Sequence, residues 1–442
     1  MKLRNILTIA FMIGISIPTS AQYIYSLQSC LEEGLKNNYS LRVVRNEEEM
    51  LHNNVSVAAA GYLPTLDLSA GYSGSLDNSE TKKTTGEITE EKNVLNQTFD
   101  VGVKLNWTLF DGFGIQTNYQ KLKELERMGE TQTRIAIEDF IAAMSAEYFN
   151  FVQEKIRLKN LRYAVSLSRE RLRIVEARYN IGSFSRLDLQ QARVDFNADS
   201  AQFMKQQEAL HSSRIRLNEL MAIRDMNGPV IVEDTVIIPN TVLRFETLWN
   251  NTLRTNVALL KAEQNQTLAR LDRKSILSRN YPYVKVNAGY GYSHYKYDMG
   301  ANLVKDNLGL NFGISVGMNL FDGNRRRDRK NARLAIENAR LEREELTQSL
   351  KADLMNLWQA YRNNIELLNL ERQNLIAAKE NHEIAHERYL LGNLSGIEMR
   401  EAQKSLLDAE ERILSAAYDT KMCEISLMQI SGGIAHYLKK KR

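Results

Sequence analysis

His382-Glu383-Ile384-Ala385-His386 matches the H-E-x-x-H pattern. On a helix that spacing puts two imidazoles on one face, where they hold zinc while the glutamate acts as general base. Such a site hydrolyses peptides, and it needs a third protein ligand. The usual HxxGxxH continuation is missing, because Tyr389 stands where its glycine would be. Only Glu401 or Glu410, across the next turn, would supply the third ligand. The motif also falls in a coiled-coil seam rather than a cleft. A secreted zinc protease acting through His382, Glu383 and His386 is therefore the weaker reading, and a chance match on a polar helix the stronger. Cys30 and Cys423 are too few for a disulfide framework. Leu27-Gln28-Ser29-Cys30 faintly resembles a lipoprotein cleavage box but lies well past the apolar leader, behind a better cleavage site. No constellation calls for a cofactor.

The elements around these residues explain more than the residues do. The chain opens MKLRNILTIAFMIGISIPTSAQ, a positive start, a short apolar core and a small-residue site, so 1–21 is expected to be a secretory signal. No other stretch is apolar enough for a membrane-spanning helix, so any membrane crossing must use strands. Lys plus Arg number 58 and Asp plus Glu 54. That balance lacks the basic footprint of a nucleic-acid binder.

The chain is written twice. GYLPTLDLSAGYSGS at 61–75 answers NYPYVKVNAGYGYS at 280–293, and VGVKLNWTLFDGF at 101–113 answers ISVGMNLFDGN at 314–324. RYNIGSFSRLDLQQA at 178–192 answers RYLLGNLSGIEMREA at 388–402. The order predicts repeats over 22–223 and 243–433, with a linker at 224–242 and a basic tail at 434–442. Each repeat reads helix, two strands, long helix, returning helix. The first helices, about 25–60 and 243–280, end at Pro64 and Pro282, which push the preceding residue out of the helical region. The strands are expected at 62–77 and 97–110, then at 281–297 and 306–321. The long helices follow at 113–180 and 324–391, each roughly 100 Å at ~1.5 Å per residue. Returning helices span 183–222 and 394–431. Residues 77–97, polar throughout, are expected to form an extracellular loop.

The strands alternate strictly. Leu308, Leu310, Phe312, Ile314, Val316, Met318 and Leu320 share one face, and Asn307, Gly309, Asn311, Gly313, Ser315, Gly317 and Asn319 the other. The remaining strands repeat the pattern. Oil on one side and a small, polar lumen on the other is the signature of a membrane barrel strand. Four strands cannot close a barrel, and an open edge in lipid leaves backbone groups unpaired. The chain must oligomerise.

These paired strands, the doubled LFDG and the doubled RY..G turns resemble the TolC-type outer-membrane efflux protein family over nearly the whole mature chain. The resemblance implies an α+β membrane protein whose homotrimer builds a twelve-stranded barrel in outer-membrane lipid and a periplasmic helical coiled-coil barrel. It implies a channel without cofactors or catalysis, serving an efflux or type I secretion system. Its tips, at Gly182, Ser183, Gly392 and Asn393, would meet a periplasmic adaptor and through it an inner-membrane pump. Acidic residues six and nine positions after the second turn glycine line the family's constriction, which here implies Glu398 and Glu401. A tie between Tyr389 and Asp188 would hold the tip closed. The arginine that often adds to this tie is replaced by Asn393. The competing reading, a periplasm-spanning structural or adhesive coiled coil with a barrel anchor, explains neither the duplication nor the lumen face.

Overall fold

A computed structural model of the chain describes residues 24–298 and 303–437. The expected signal peptide and the end of the basic tail lie outside the described residues. In chain order the elements are β1 (Ile24–Tyr25), α1 (Leu27–Asn37), α2 (Tyr39–Asn53), α3 (Val57–Ala60), β2 (Thr65–Lys82), β3 (Ile88–Phe110), α4 (Gly114–Asn180) and α5 (Arg186–Leu220). The second copy follows with β4 (Ile231–Val232), α6 (Phe245–Thr255), α7 (Val257–Ser278), β5 (Tyr283–Lys296), β6 (Val304–Gly317), α8 (Asn324–Leu390), α9 (Gly396–Ile430) and α10 (Ile434–Tyr437). Both long helices have 67 residues and both returning helices 35, so the duplication is preserved residue for residue.

One compact unit comprises 43–135 and 257–349. Its centre is an antiparallel sheet in the order β2-β3-β5-β6, with β2 and β6 as unpaired edges. Leu310, Phe312, Ile314 and Val316 are all about as exposed as an apolar side chain can be, at 67, 81, 72 and 71 %. An uncovered apolar face of this size needs lipid rather than water. On the opposite face, Ser69 pairs with Gly102, Gly102 with Gly291 and Gly291 with Gly309, a belt of almost no side chains across all four strands. A Cβ at Gly102 would come 2.9 Å from the Gly291 Cα, and one at Gly291 2.9 Å from the Val101 carbonyl oxygen. The backbones approach too closely there for any other residue.

Two expectations for the strands are corrected. The polar segment 77–97 is mostly strand: β2 and β3 continue as a hairpin, closed where the Lys83 amide donates to the Glu87 carbonyl at 2.8 Å. Gly86, at φ +86°, makes that tight turn possible. Polarity marked it as loop, but a ribbon beyond the membrane is wet on both faces and needs no apolar alternation. At the other end, β6 stops at Gly317 rather than at 321. Its partner β5 begins at Tyr283, directly after Pro282, so residues beyond Gly317 have no strand to pair with.

The other unit comprises the described parts of 1–42, 136–256 and 350–442. Its core is also duplicated. Ile141, Tyr148, Leu31 and Leu217 form one cluster; Leu354, Tyr361, Leu248 and Leu427 form the matching one. The expected linker at 224–242 is part of this core, because Val232 and Ile237 are buried and β4 pairs parallel with β1. Asn240 bonds at both ends: its amide donates to Glu424 at 2.7 Å and its carbonyl accepts from the Tyr361 hydroxyl.

The first helix of each copy, expected to be continuous, is broken. Asn38 and Asn256 leave the helical region, each with an extended ψ. Their side-chain amides donate to the carbonyls of Leu220, at 3.1 Å, and Ile430, at 2.9 Å, the last residues of the two returning helices. Each asparagine satisfies a carbonyl that the end of an α-helix leaves unpaired.

Candidate helical tips and constriction

The two tips are built alike. Gly182 and Gly392 sit at φ +79° and +82°, the left-handed region that ends a helix. The Ser183 amide donates to Arg178 and the Asn393 amide to Arg388, both at 2.9 Å. Each returning helix then opens with a reciprocal capping box. The Ser185 hydroxyl accepts from the Asp188 amide, while Ser185 donates back to the Asp188 carboxylate from its amide (2.9 Å) and hydroxyl (2.7 Å). Ser395 and Glu398 repeat this at 3.0 and 2.8 Å. The Ser185 hydrogen bonds hold the Asp188 carboxyl below the usual carboxylate range, and those from Ser395 do the same for Glu398.

The expected site residues divide accordingly. Glu398 and Glu401 are both exposed and lie one turn apart on α9, but the Glu398 carboxylate is turned back onto Ser395. Asp188 is likewise engaged with Ser185 rather than with Tyr389. The Tyr389 hydroxyl is buried and has no hydrogen-bond partner among the described residues. Arg178 makes the contact between the tips instead. Its guanidinium lies 5.5 Å from the Tyr389 ring centre and donates to the carbonyls of Tyr389 (3.4 Å) and Leu390 (3.2 Å).

An ion network escaped the sequence reading. Arg400 of α9 grips Asp199 of α5 with two bonds of 2.8 and 2.7 Å, and lies 3.9 Å from Asp195. Asp195 also accepts from Arg171 of α4 and from Gln191, the latter at 3.1 Å. Asp199 and Arg171 are buried. The only sequence signal was a pair of aspartates four apart on the helix face that also carries Leu189 and Ala192.

The zinc pattern finds no third ligand among the described residues. His382 and His386 stack with ring centres 6.1 Å apart, and the buried His382 Nε2 has no partner among the described residues. Burial pushes the His382 pKa down. Among the described residues no three His, Cys, Asp or Glu side chains converge to hold a metal. Cys30 is fully buried inside α1, and desolvation pushes its thiol up to about 12.

Comparison with known proteins places the fold and the family. The outer membrane efflux protein family matches residues 30–222 and 248–433, which is both repeats. The outer membrane protein TolC of Vibrio cholerae is 21 % identical over 426 residues, covering 94 % of this chain and 93 % of its own. SilC of Salmonella typhimurium, a probable outer membrane lipoprotein, is 22 % identical over 410 residues, covering 91 and 84 %. The CmeC outer membrane channel of Campylobacter jejuni superposes with a TM-score of 0.75 at 16 % identity, covering 94 % of this chain and 88 % of that one. In this fold four strands from each of three protomers close a twelve-stranded barrel in the outer membrane, continued by helices in the periplasm. It carries out no catalysis, and the chain belongs to the outer membrane efflux protein family.

Proposed function

We propose that this trimer is the exit duct of a tripartite efflux or type I secretion system, taking substrates from an inner-membrane pump through a periplasmic adaptor. The observation that carries the reading is at the tips. Ile181 and Leu187 of the first copy, and Leu391 and Ile397 of the second, are 76–79 % exposed. They flank Gly182, Ser183, Gly392 and Asn393. Two matched pairs of bare apolar side chains on rigid, capped turns are docking knobs for a protein that presents a repeated groove. The TolC-type arrangement supports an adaptor as that protein, and supports Glu398 and Glu401 as the carboxylates facing the passage. Substrates pass without covalent change.

Co-purification of the native complex tests this. Leu187→Asp/Ile397→Asp should abolish capture of the adaptor and pump while leaving a heat-labile trimer in the membrane. Undiminished capture by the double variant would overturn docking at these tips.

A further inference from the structure

Just past the sheet, the two copies part company. After Gly317 the second copy runs through Met318, Leu320 and Phe321, with Leu320 and Phe321 87 and 89 % exposed. Then α8 opens with six cations in ten residues: Arg325, Arg326, Arg327, Arg329, Lys330 and Arg333. In the first copy, aligned on Phe110-Asp111-Gly112, the same positions hold Gly114, Ile115, Gln116, Asn118, Tyr119 and Leu122. Phe110 also packs edge-on against Phe113, 5.2 Å between ring centres, whereas Phe321 has no ring partner among the described residues.

The fold does not require this cluster, since its twin does without it. The cluster is also locally unfavourable. Like charges one turn apart repel, as at Arg325/Arg329, Arg326/Lys330 and Arg329/Arg333. Cations in the first turn oppose the positive end of the helix dipole. Compensation within the chain is partial. Arg327 pairs with Asp328 at 3.0 Å, Arg325 lies 4.0 Å from Asp322, and Arg329 donates to Asn280 at 2.6 Å. Arg326, Lys330 and Arg333 are exposed and have no acidic partner among the described residues. These three cations are free to take anions from outside the protomer.

The position identifies them. This end of the sheet leads into the periplasmic helices, so it lies at the periplasmic leaflet, which is built of phospholipid. We infer that Leu320 and Phe321 enter that leaflet and that the cations of the first turns of α8, Arg326, Lys330 and Arg333 foremost, bind the phosphates of anionic phospholipids. Apolar side chains at the acyl boundary followed by a basic run form the combination that recognises such a surface. The first copy keeps apolar residues at this level, with Leu109 and Phe113 about half exposed, but lacks the basic run, so the trimer carries three charged anchoring points rather than a uniform collar. This rests on the barrel's orientation in the membrane and not on which pump or adaptor is served.

The test uses the intact trimer and phosphatidylglycerol. Wild type should gain thermal stability in phosphatidylethanolamine vesicles when phosphatidylglycerol is added. Arg326→Gln/Lys330→Gln/Arg333→Gln should lose that gain, with a roughly hundredfold fall in phosphatidylglycerol affinity for three cations removed. Equal gains in wild type and variant would overturn the inference. So would equal stabilisation by inorganic phosphate, which would make this a free-anion site. If the variant does not assemble, wild type alone decides. Photoactivatable phosphatidylglycerol should label residues 318–333, and label confined to the strands would sink the idea.

Discussion

The two copies agree at the helical tips and disagree at the junction where the sheet ends. At the tips, turn glycine, capping serine and acidic third residue recur in register, and so do the bare apolar knobs. At the junction, six cations stand opposite six uncharged residues. Two copies of one fold share whatever folding itself demands, so what they share is architecture and what they do not share is assignment. The ion network makes the same point. Arg400, Asp195 and Asp199 correspond by position to Gln190, Ser405 and Ala409, so the second copy grips the first with no reciprocal grip. A three-fold assembly of duplicated chains has six similar hairpins, and asymmetries of this kind make them three of one sort and three of another.

The largest effect expected is on the shared lipid face. Ile314→Arg and its first-copy counterpart Val103→Arg should each cost ~2–4 kcal/mol near the midplane. Both should reduce heat-labile trimer on a gel. Ser315→Arg points to the lumen and should assemble. Equal defects from Ile314→Arg and Ser315→Arg would break the assignment of faces.

Next comes the one-way grip. Asp199→Ala leaves Arg400 and its neighbours half-paired and should cost about 2–3 kcal/mol, below the limit for a fully buried pair because the arginine is a quarter exposed. It should also raise the open fraction in single-channel recordings. Ala409→Asp, at the matching place in the second copy, should not strengthen anything, since the residue matching Arg400 is Gln190.

Smaller, and equal in the two copies, is the cap. Ser185→Ala and Ser395→Ala should each cost ~1 kcal/mol and speed amide exchange in the first turn of α5 or α9. The carboxyl groups of Asp188 and Glu398 have folded pKa values below their unfolded ones. Their contribution is therefore complete above the unfolded values of roughly 4 and is lost as pH falls through the folded ones. Protection factors at both tips should fall in that acid range and stay level between pH 6 and 8, where both carboxylates remain ionised.

The last prediction changes no stability. The first copy carries Asp188 and Gln191 where the second carries Glu398 and Glu401. If the second copy lines the constriction, Glu398→Gln/Glu401→Gln should abolish block by a trivalent cation in planar bilayers, and Asp188→Asn should not. Block that persists in the double variant places the narrowest point elsewhere.

Most of this architecture was legible because it is periodic or repeated. Alternation over 307–317 identifies a strand, and the absence of glycine or proline over 324–391 identifies a long helix. What the sequence hid depends on partners far along the chain. Asn38 and Asn256 look like ordinary polar residues in a helix until they meet Leu220 and Ile430, more than 170 residues away. Arg400 is one of many arginines until it meets Asp199. The end of β6 was hidden for the same reason, since it is set by Pro282 on the neighbouring strand. The capping boxes are the exception. Ser185-x-x-Asp188 and Ser395-x-x-Glu398 are local signatures, and they show that Glu398 has a structural task beside any role in the passage.

The glycine belt across β2, β3, β5 and β6 bears on what the duct does to its cargo. At that level the wall facing the passage is bare peptide, and its amides and carbonyls are already engaged with the adjoining strands. A molecule moving past finds there one hydroxyl per protomer, that of Ser69, and no ring to stack upon; the nearest charges are Asp100 and Lys104, two residues either way along β3 on the same face. The glycines themselves offer little by which to hold a cargo. Any discrimination in the sheet therefore falls to the side chains above and below that level, Asp100 and Lys104 among them, and a change there would alter the wall without disturbing the close approach of the strands.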